Sequence, residues 1–253
     1  MRVLAGPIVR QQNVLIVGLL LALAAGAWII LVEQSRQMMP GMAMSPTMGM
    51  AAPAFLGIWV VMMVATMFPS AAPMILTYSR AAGSRSGSSY APTWLFVSSY
   101  LAVWAFLGLA AYLFALGGQY LQQQAMWLMD NSSRFGGLLL VAAGVYQVSP
   151  LKHLCLSKCR SPLDFLMTNW RPGYRGAFRL GVSHALFCAG CCWLLFAILF
   201  PLGMTNIAAM AAVTALIFAE KVLPAARQVS FVAAAALVVY GCLVLASPAM
   251  LPG

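Results

Sequence analysis

The stretch His184–Ala–Leu–Phe–Cys188–Ala–Gly–Cys191–Cys192 carries the densest group of soft metal ligands in the chain. At about 100° per residue, His184, Cys188 and Cys191 fall at about 0°, 40° and 340° on a helix, one narrow face, with Cys192 beside it at about 80°. Imidazole and thiolate are the side chains that Cu(I) and Zn(II) prefer. One such face supplies most of a metal site, and a second helix would complete it. Cysteine is also a small, commonly buried residue, so packing is the competing account. Three cysteines in five residues with an in-phase histidine favour chemistry, because polar groups inside hydrocarbon are rare and tend to face the bundle interior.

A second group is His153–Leu–Cys155–Leu–Ser–Lys158–Cys159–Arg160, shortly after Pro150. On a helical turn Cys155 and Cys159 share a face at i, i+4, and the cations Lys158 and Arg160 would favour thiolate. Two ordinary reduced thiols are the alternative, since the spacing matches no familiar zinc pattern. A third group is Met38, Met39, Met42, Met44, Met48 and Met50, six methionines in thirteen residues. Thioether is a neutral soft ligand for Cu(I) or Ag(I) and needs no deprotonation. This segment is expected to capture metal, or else to be an apolar loop lying on lipid. Further on, Met63, Met67 and Met74 project at about 0°, 40° and 20°, a stripe that suits either core packing or ligation. Pro69 and Pro73 should bend that helix and free carbonyls.

Glu220–Lys221 completes the inventory. A carboxylate at a membrane edge should pair with Lys221 or a loop arginine; alternatively it balances charge at a metal site or orients His184.

The elements that must position these residues follow from composition. Of 253 residues 63% are hydrophobic and 7% charged, against about 25% charged in soluble domains. Water would not solvate such a surface; a lipid bilayer would. Seven windows are long and apolar enough to span, near 13–32, 54–78, 93–117, 135–151, 180–201, 205–222 and 229–247. The expected fold is therefore all-α: a single membrane domain over 1–253, a polytopic transmembrane helix bundle of about seven spans. Its N-terminal window is long enough to be a retained anchor rather than a cleaved signal.

Orientation follows from charge. With the N-terminus cytosolic and the C-terminus outside, only Arg36 and Arg134 of the 14 Lys and Arg residues face outward, a strong positive-inside bias. The methionine-rich segment then becomes an outer loop at 33–53, and the basic, cysteine-containing segment 152–179 an inner loop. A turn at Pro201, Gly203 and Asn206 should divide the fifth and sixth spans. Depth along the helices suggests a ladder: the outer methionines, Met63 and Met67, Cys191 and Cys188, His184, then Cys155 and Cys159. The net charge of +10 is accounted for by topology and anionic headgroups. No basic stripe with interleaved aromatics indicates nucleic acid.

The chain resembles a bacterial family of predicted metal-binding integral membrane proteins, some of whose members are labelled copper chaperones. The resemblance runs from the second to the sixth window. It rests on Trp59 with Met62–Met63 and Met67–Phe68–Pro69–Ser70, on Tyr146–Gln147 with Pro150–Leu151–Lys152, and on Cys155 with Cys159–Arg160–Ser161–Pro162. It rests also on Cys188–Ala–Gly–Cys191–Cys192–Trp193 and on Glu220–Lys221. The resemblance implies metal binding and leaves transport, direction and partner open.

The leading expectation is a multi-pass protein of the bacterial inner membrane that binds copper as Cu(I), with zinc second, and acts as its chaperone or carrier. Its partners would be a donor or acceptor metalloprotein or a membrane enzyme complex. The alternatives are a membrane thiol redox protein, exchanging disulfides through Cys155/Cys159 and Cys188/Cys191, and a structural subunit whose sulfurs merely pack. With two histidines and four acidic residues no catalytic triad can be assembled, and no phosphate-cradling loop is present, so no enzyme activity is expected. The number of copies in the assembly is not legible.

Overall fold

The apolar windows become long helices, because an apolar run can satisfy its backbone inside a bilayer only by hydrogen-bonding to itself. A computed structural model describes residues 7–37, 47, 49–86, 90–125, 127 and 131–251. The helices are α1 (Pro7–Gln37), α2 (Ala52–Ser86), α3 (Tyr90–Gln124), α4 (Ser132–Gln147), α5 (Pro150–Arg160), α6 (Pro162–Asn169), α7 (Gly173–Ala197), α8 (Leu199–Leu202), α9 (Ile207–Val222) and α10 (Ala226–Ala246). Among the described residues there is no strand.

Five described segments are long and apolar enough to cross a membrane: those built on α1, α2, α3, α7 with α8, and α10. The pair α4–α5 makes a sixth if its 62° bend is counted as one broken span. This differs from the seven expected windows in two places. The 205–222 window folds as α9, with 16 residues; at 1.5 Å per residue it is about 24 Å long, short of a ~30 Å hydrocarbon core. The segment 152–179 is not an irregular loop but largely helical, occupied by α5, α6 and the start of α7.

The bend between α4 and α5 has a local cause. Pro150 cannot donate the amide hydrogen that would continue α4, and it stands at the first turn of α5, where that hydrogen is not needed. Ser149 caps the new helix, its Oγ accepting from Lys152 N at 3.2 Å. The turn before α9 forms as expected: Gly203 takes φ +89°, and Asn206 Oδ1 accepts from Ala209 N at 3.1 Å. α2 runs as one helix through Pro69 and Pro73.

The principal pairings are α4 with α10, α1 with α2, α3 with α7, α2 with α3, and α5 with α7. The α4–α10 contact is built on glycine. A Cβ on Gly137 would lie 3.1 Å from the Gly241 carbonyl oxygen, and one on Gly241 would lie 2.8 Å from that of Gly137. Small residues permit such backbone approach, which membrane bundles use for dispersion contact. The core gathers on α2 and α7, where Met62, Met63, Met67, Met74, Cys188, Cys191 and Cys192 are buried. Large apolar side chains on α1, α3 and α10 face outward, among them Ile29, Phe106, Phe114 and Val232. Such a surface is compatible with lipid.

Candidate metal centre

Helical period alone places His184, Cys188, Cys191 and Cys192 on the inner side of α7, and all four are at most 3% exposed. Phe96, Tyr100 and Phe165 surround the His184 ring, with centroid separations of 6.0, 5.7 and 5.7 Å. Its Nδ1 has no hydrogen-bond partner.

Cys188 is the meeting point. Its Sγ lies 3.8 Å from Met67 Sδ of α2 and 3.1 Å from Tyr100 Oη of α3. Lys221 of α9 donates to the same sulfur at 3.0 Å, with Ser70 Oγ at 3.3 Å and Met67 Sδ at 3.8 Å as its other neighbours. Cys159 of α5 is a near neighbour of both Cys188 and Cys191. Cys155, one turn earlier, fits against Gly190, where an added Cβ would come 2.7 Å from its Sγ.

The two cysteine groups are therefore side by side. The expected ladder placed Cys155 and Cys159 beyond His184; the bend at Pro150 instead returns α5 along α7. The expected cations also differ. Lys158 pairs with Asp164 at 3.3 Å, and Arg160 donates to the Glu220 carbonyl oxygen. The cation beside the sulfurs is Lys221.

The Glu220 carboxylate pairs neither with Lys221 nor with a loop arginine; Arg160 reaches only the backbone carbonyl of Glu220. Its carboxylate accepts from Lys152 Nζ at 2.7 and 2.8 Å and from Ser230 Oγ at 2.9 Å. Gln147 Oε1 accepts from the same ammonium. Lys152, Gln147 and Ser230 are at most 1% exposed. Neighbours in sequence, Glu220 and Lys221 serve two different polar groups, because adjacent residues on a helix point about 100° apart.

The remaining candidates are placed as follows. Met63 is fully buried in the core near Met67 on α2. His153 is half-buried and points about 200° around α5 from Cys155. Met50 packs partly buried against the core, and its carbonyl accepts from Tyr112 Oη at 3.4 Å. Met38, Met39, Met42, Met44 and Met48 lie outside the described residues. Sequence reasoning missed Tyr100, Ser70 and Ser230 as neighbours of the site. It noted Lys152 and Gln147 only as carriers of resemblance, although a lysine and a glutamine flanking a proline at the end of an apolar window are a usable signal.

Among the described residues, no three His, Cys, Asp or Glu side chains are already arranged around one point. The local reason is visible: Cys191 and Cys192 turn their thiols back to the Cys188 carbonyl oxygen, at 3.1 and 2.8 Å. A change of χ1 rotamer is what would bring either sulfur to a shared ion. The donor set within reach is thiol, thioether and imidazole. The nearby carboxylate, Glu220, is held by Lys152, so the chemistry on offer is soft.

Comparison with known families gives one match. The family model described as PpoB2, copper chaperone, matches residues 56–244, a span that contains every residue of this group. No curated protein and no solved structure matches the chain.

Proposed function

The chain belongs to the PpoB2 family of copper chaperones, and from that membership we propose that it is a membrane-embedded carrier of Cu(I). Cys188 is the central ligand. Met67 supplies a thioether, and Cys159, Cys191, Cys192, Cys155 and His184 are the donors from which the set is completed. The observation that carries this reading is the contact of Cys188 on α7 with Met67 on α2, with Cys159 of α5 a near neighbour. Soft donors without a free carboxylate favour Cu(I) over Zn(II). Copper here is cargo: it binds as the proton leaves the Cys188 sulfur and departs to a metalloprotein or membrane enzyme complex.

The orientation we propose keeps the N-terminus in the cytosol of a bacterium and the C-terminus outside its inner membrane, with α9 counted as the short crossing. The methionines Met38, Met39, Met42, Met44, Met48 and Met50 then face outward and gather the ion.

The test is copper and zinc per chain in protein purified anaerobically in detergent, beside a variant with Cys188, Cys191 and Cys192 changed to serine. A copper content about one per chain lower in a variant that still melts cooperatively is the expected result. Absence of metal from both proteins after Cu(I) loading would sink the reading. The nearness of Cys159 to Cys188 and Cys191 keeps thiol exchange as a second reading, which predicts a Cys159 disulfide on mild oxidation and no copper dependence.

A further inference from the structure

A second group of sulfurs lies elsewhere in the bundle. Met62 of α2, Met204 in the turn before α9, and Met210 of α9 line one cavity of about 10 Å³, together with Gln34 of α1 and Trp59. That volume suits one water-sized occupant. All three methionines are buried, with at most 6% exposure. Methionine ordinarily fills an irregular gap because its side chain is flexible. Here three of them, Met62 from α2, Met204 from the turn before α9 and Met210 near the start of α9, line a gap instead of closing it.

The walls are set by contacts that do not involve the sulfurs. Gly203 at φ +89° turns the chain into Met204, and Asn206 N donates back to the Gly203 carbonyl oxygen at 3.0 Å. Ser35 Oγ donates to the Thr205 carbonyl at 2.8 Å, tying this turn to α1. Trp59 is fixed by its Nε1–H, which donates to the Trp104 carbonyl at 2.9 Å. No Lys, Arg or His is among the lining residues, whose polar members are Gln34, Thr205 and the Trp59 indole. A cation placed there meets three thioether residues, with Gln34 and Thr205 as neutral polar neighbours, and no like charge among the lining residues.

We propose that Met62, Met204 and Met210 form a thioether-only site for a soft monovalent cation, Cu(I) or Ag(I), separate from the Cys188 group. Five residues separate Met62 from Met67, a rise of about 7.5 Å along α2, so the cavity lies one short step from the central sulfur. Binding there exchanges no proton, because a thioether is uncharged before and after. In the orientation proposed above the site faces the outer half of the bundle, which makes it the holding position between capture and Cys188. It rests on the soft-metal reading of the chain but not on any cysteine.

The experiment uses full-length protein labelled with selenomethionine and carrying C188S and M67L, loaded with one equivalent of Ag(I) and measured by X-ray absorption at the selenium edge. A selenium–silver scattering path that disappears when M62L, M204L and M210L are added is the expected result. Absence of that path, or its survival in the added variant, overturns the site; survival would assign the silver to the loop methionines. Should the combined variant fail to melt cooperatively, M204L and M210L are tested singly in the same background. Each should weaken Ag(I) binding about tenfold, and unchanged affinity in both overturns the proposal. Failure of the Cys188 reading shows separately, as an unaltered copper content on removing Cys188, Cys191 and Cys192.

Discussion

Leucine at position 67 would keep nearly the volume of methionine and remove one thioether from 3.8 Å of Cys188 Sγ. Volume-conserving swaps of this kind cost under about 1.5 kcal/mol in a core, so folding should survive. Cu(I) affinity should fall about tenfold, equivalent to about 1.4 kcal/mol, measured by competition with a chromophoric Cu(I) chelator. Equal affinity in M67L and wild type would remove α2 from the site. His184 offers a contrasting case: its ring is held by aromatic neighbours, yet its Nδ1 stays unpartnered. A buried imidazole nitrogen without a partner carries a desolvation cost of about 1–3 kcal/mol. Ligation, directly or after a small shift of α7, would relieve that cost.

The elements around these residues are held by charge as well as packing. Lys152 and Glu220 form a buried pair 2.7 Å apart, linking α5 to α9, and Ser230 brings in α10. Removing one partner leaves a bare charge inside, at a cost of about 3–5 kcal/mol. K152M should therefore lower thermal stability in detergent sharply. The double variant K152M/E220L should recover much of the loss, and a single variant as stable as wild type would refute the pairing. This is also where the sequence stops being legible. The thiol face of α7 can be read in advance, because helical period fixes which residues share a side. The docking of α5 cannot, because Pro150 says that the chain bends but not toward which neighbour. Likewise Glu220 has Lys221 beside it in sequence, and nothing local reveals that Lys152 is its partner and Lys221 the neighbour of Cys188. Such choices are made by helix packing, which a single span does not encode.

At the scale of the whole molecule, the outward-facing apolar side chains of α1, α3 and α10 and the distribution of Lys and Arg lead to one topological prediction. A fluorescent protein fused to the N-terminus should be fluorescent, and alkaline phosphatase fused after Gly253 should be active. Inactive phosphatase there, with activity gained on fusion after α9, would mean that α9 and α10 do not cross as proposed. The ion pair that joins α5 to α9 also has a consequence for how the molecule is born. Its two residues lie 68 positions apart, roughly 3–14 s of synthesis at about 5–20 residues per second. Through that interval Lys152 lacks its Glu220 partner, and burying it without that partner would carry the cost of a bare charge. Synthesis of α9 supplies Glu220 for Lys152 and Lys221 for Cys188 together, since the two residues are adjacent on one helix. The order of translation thus sets an order of assembly: the contacts of Lys152 with Glu220 and of Lys221 with Cys188 close only once α9 is made.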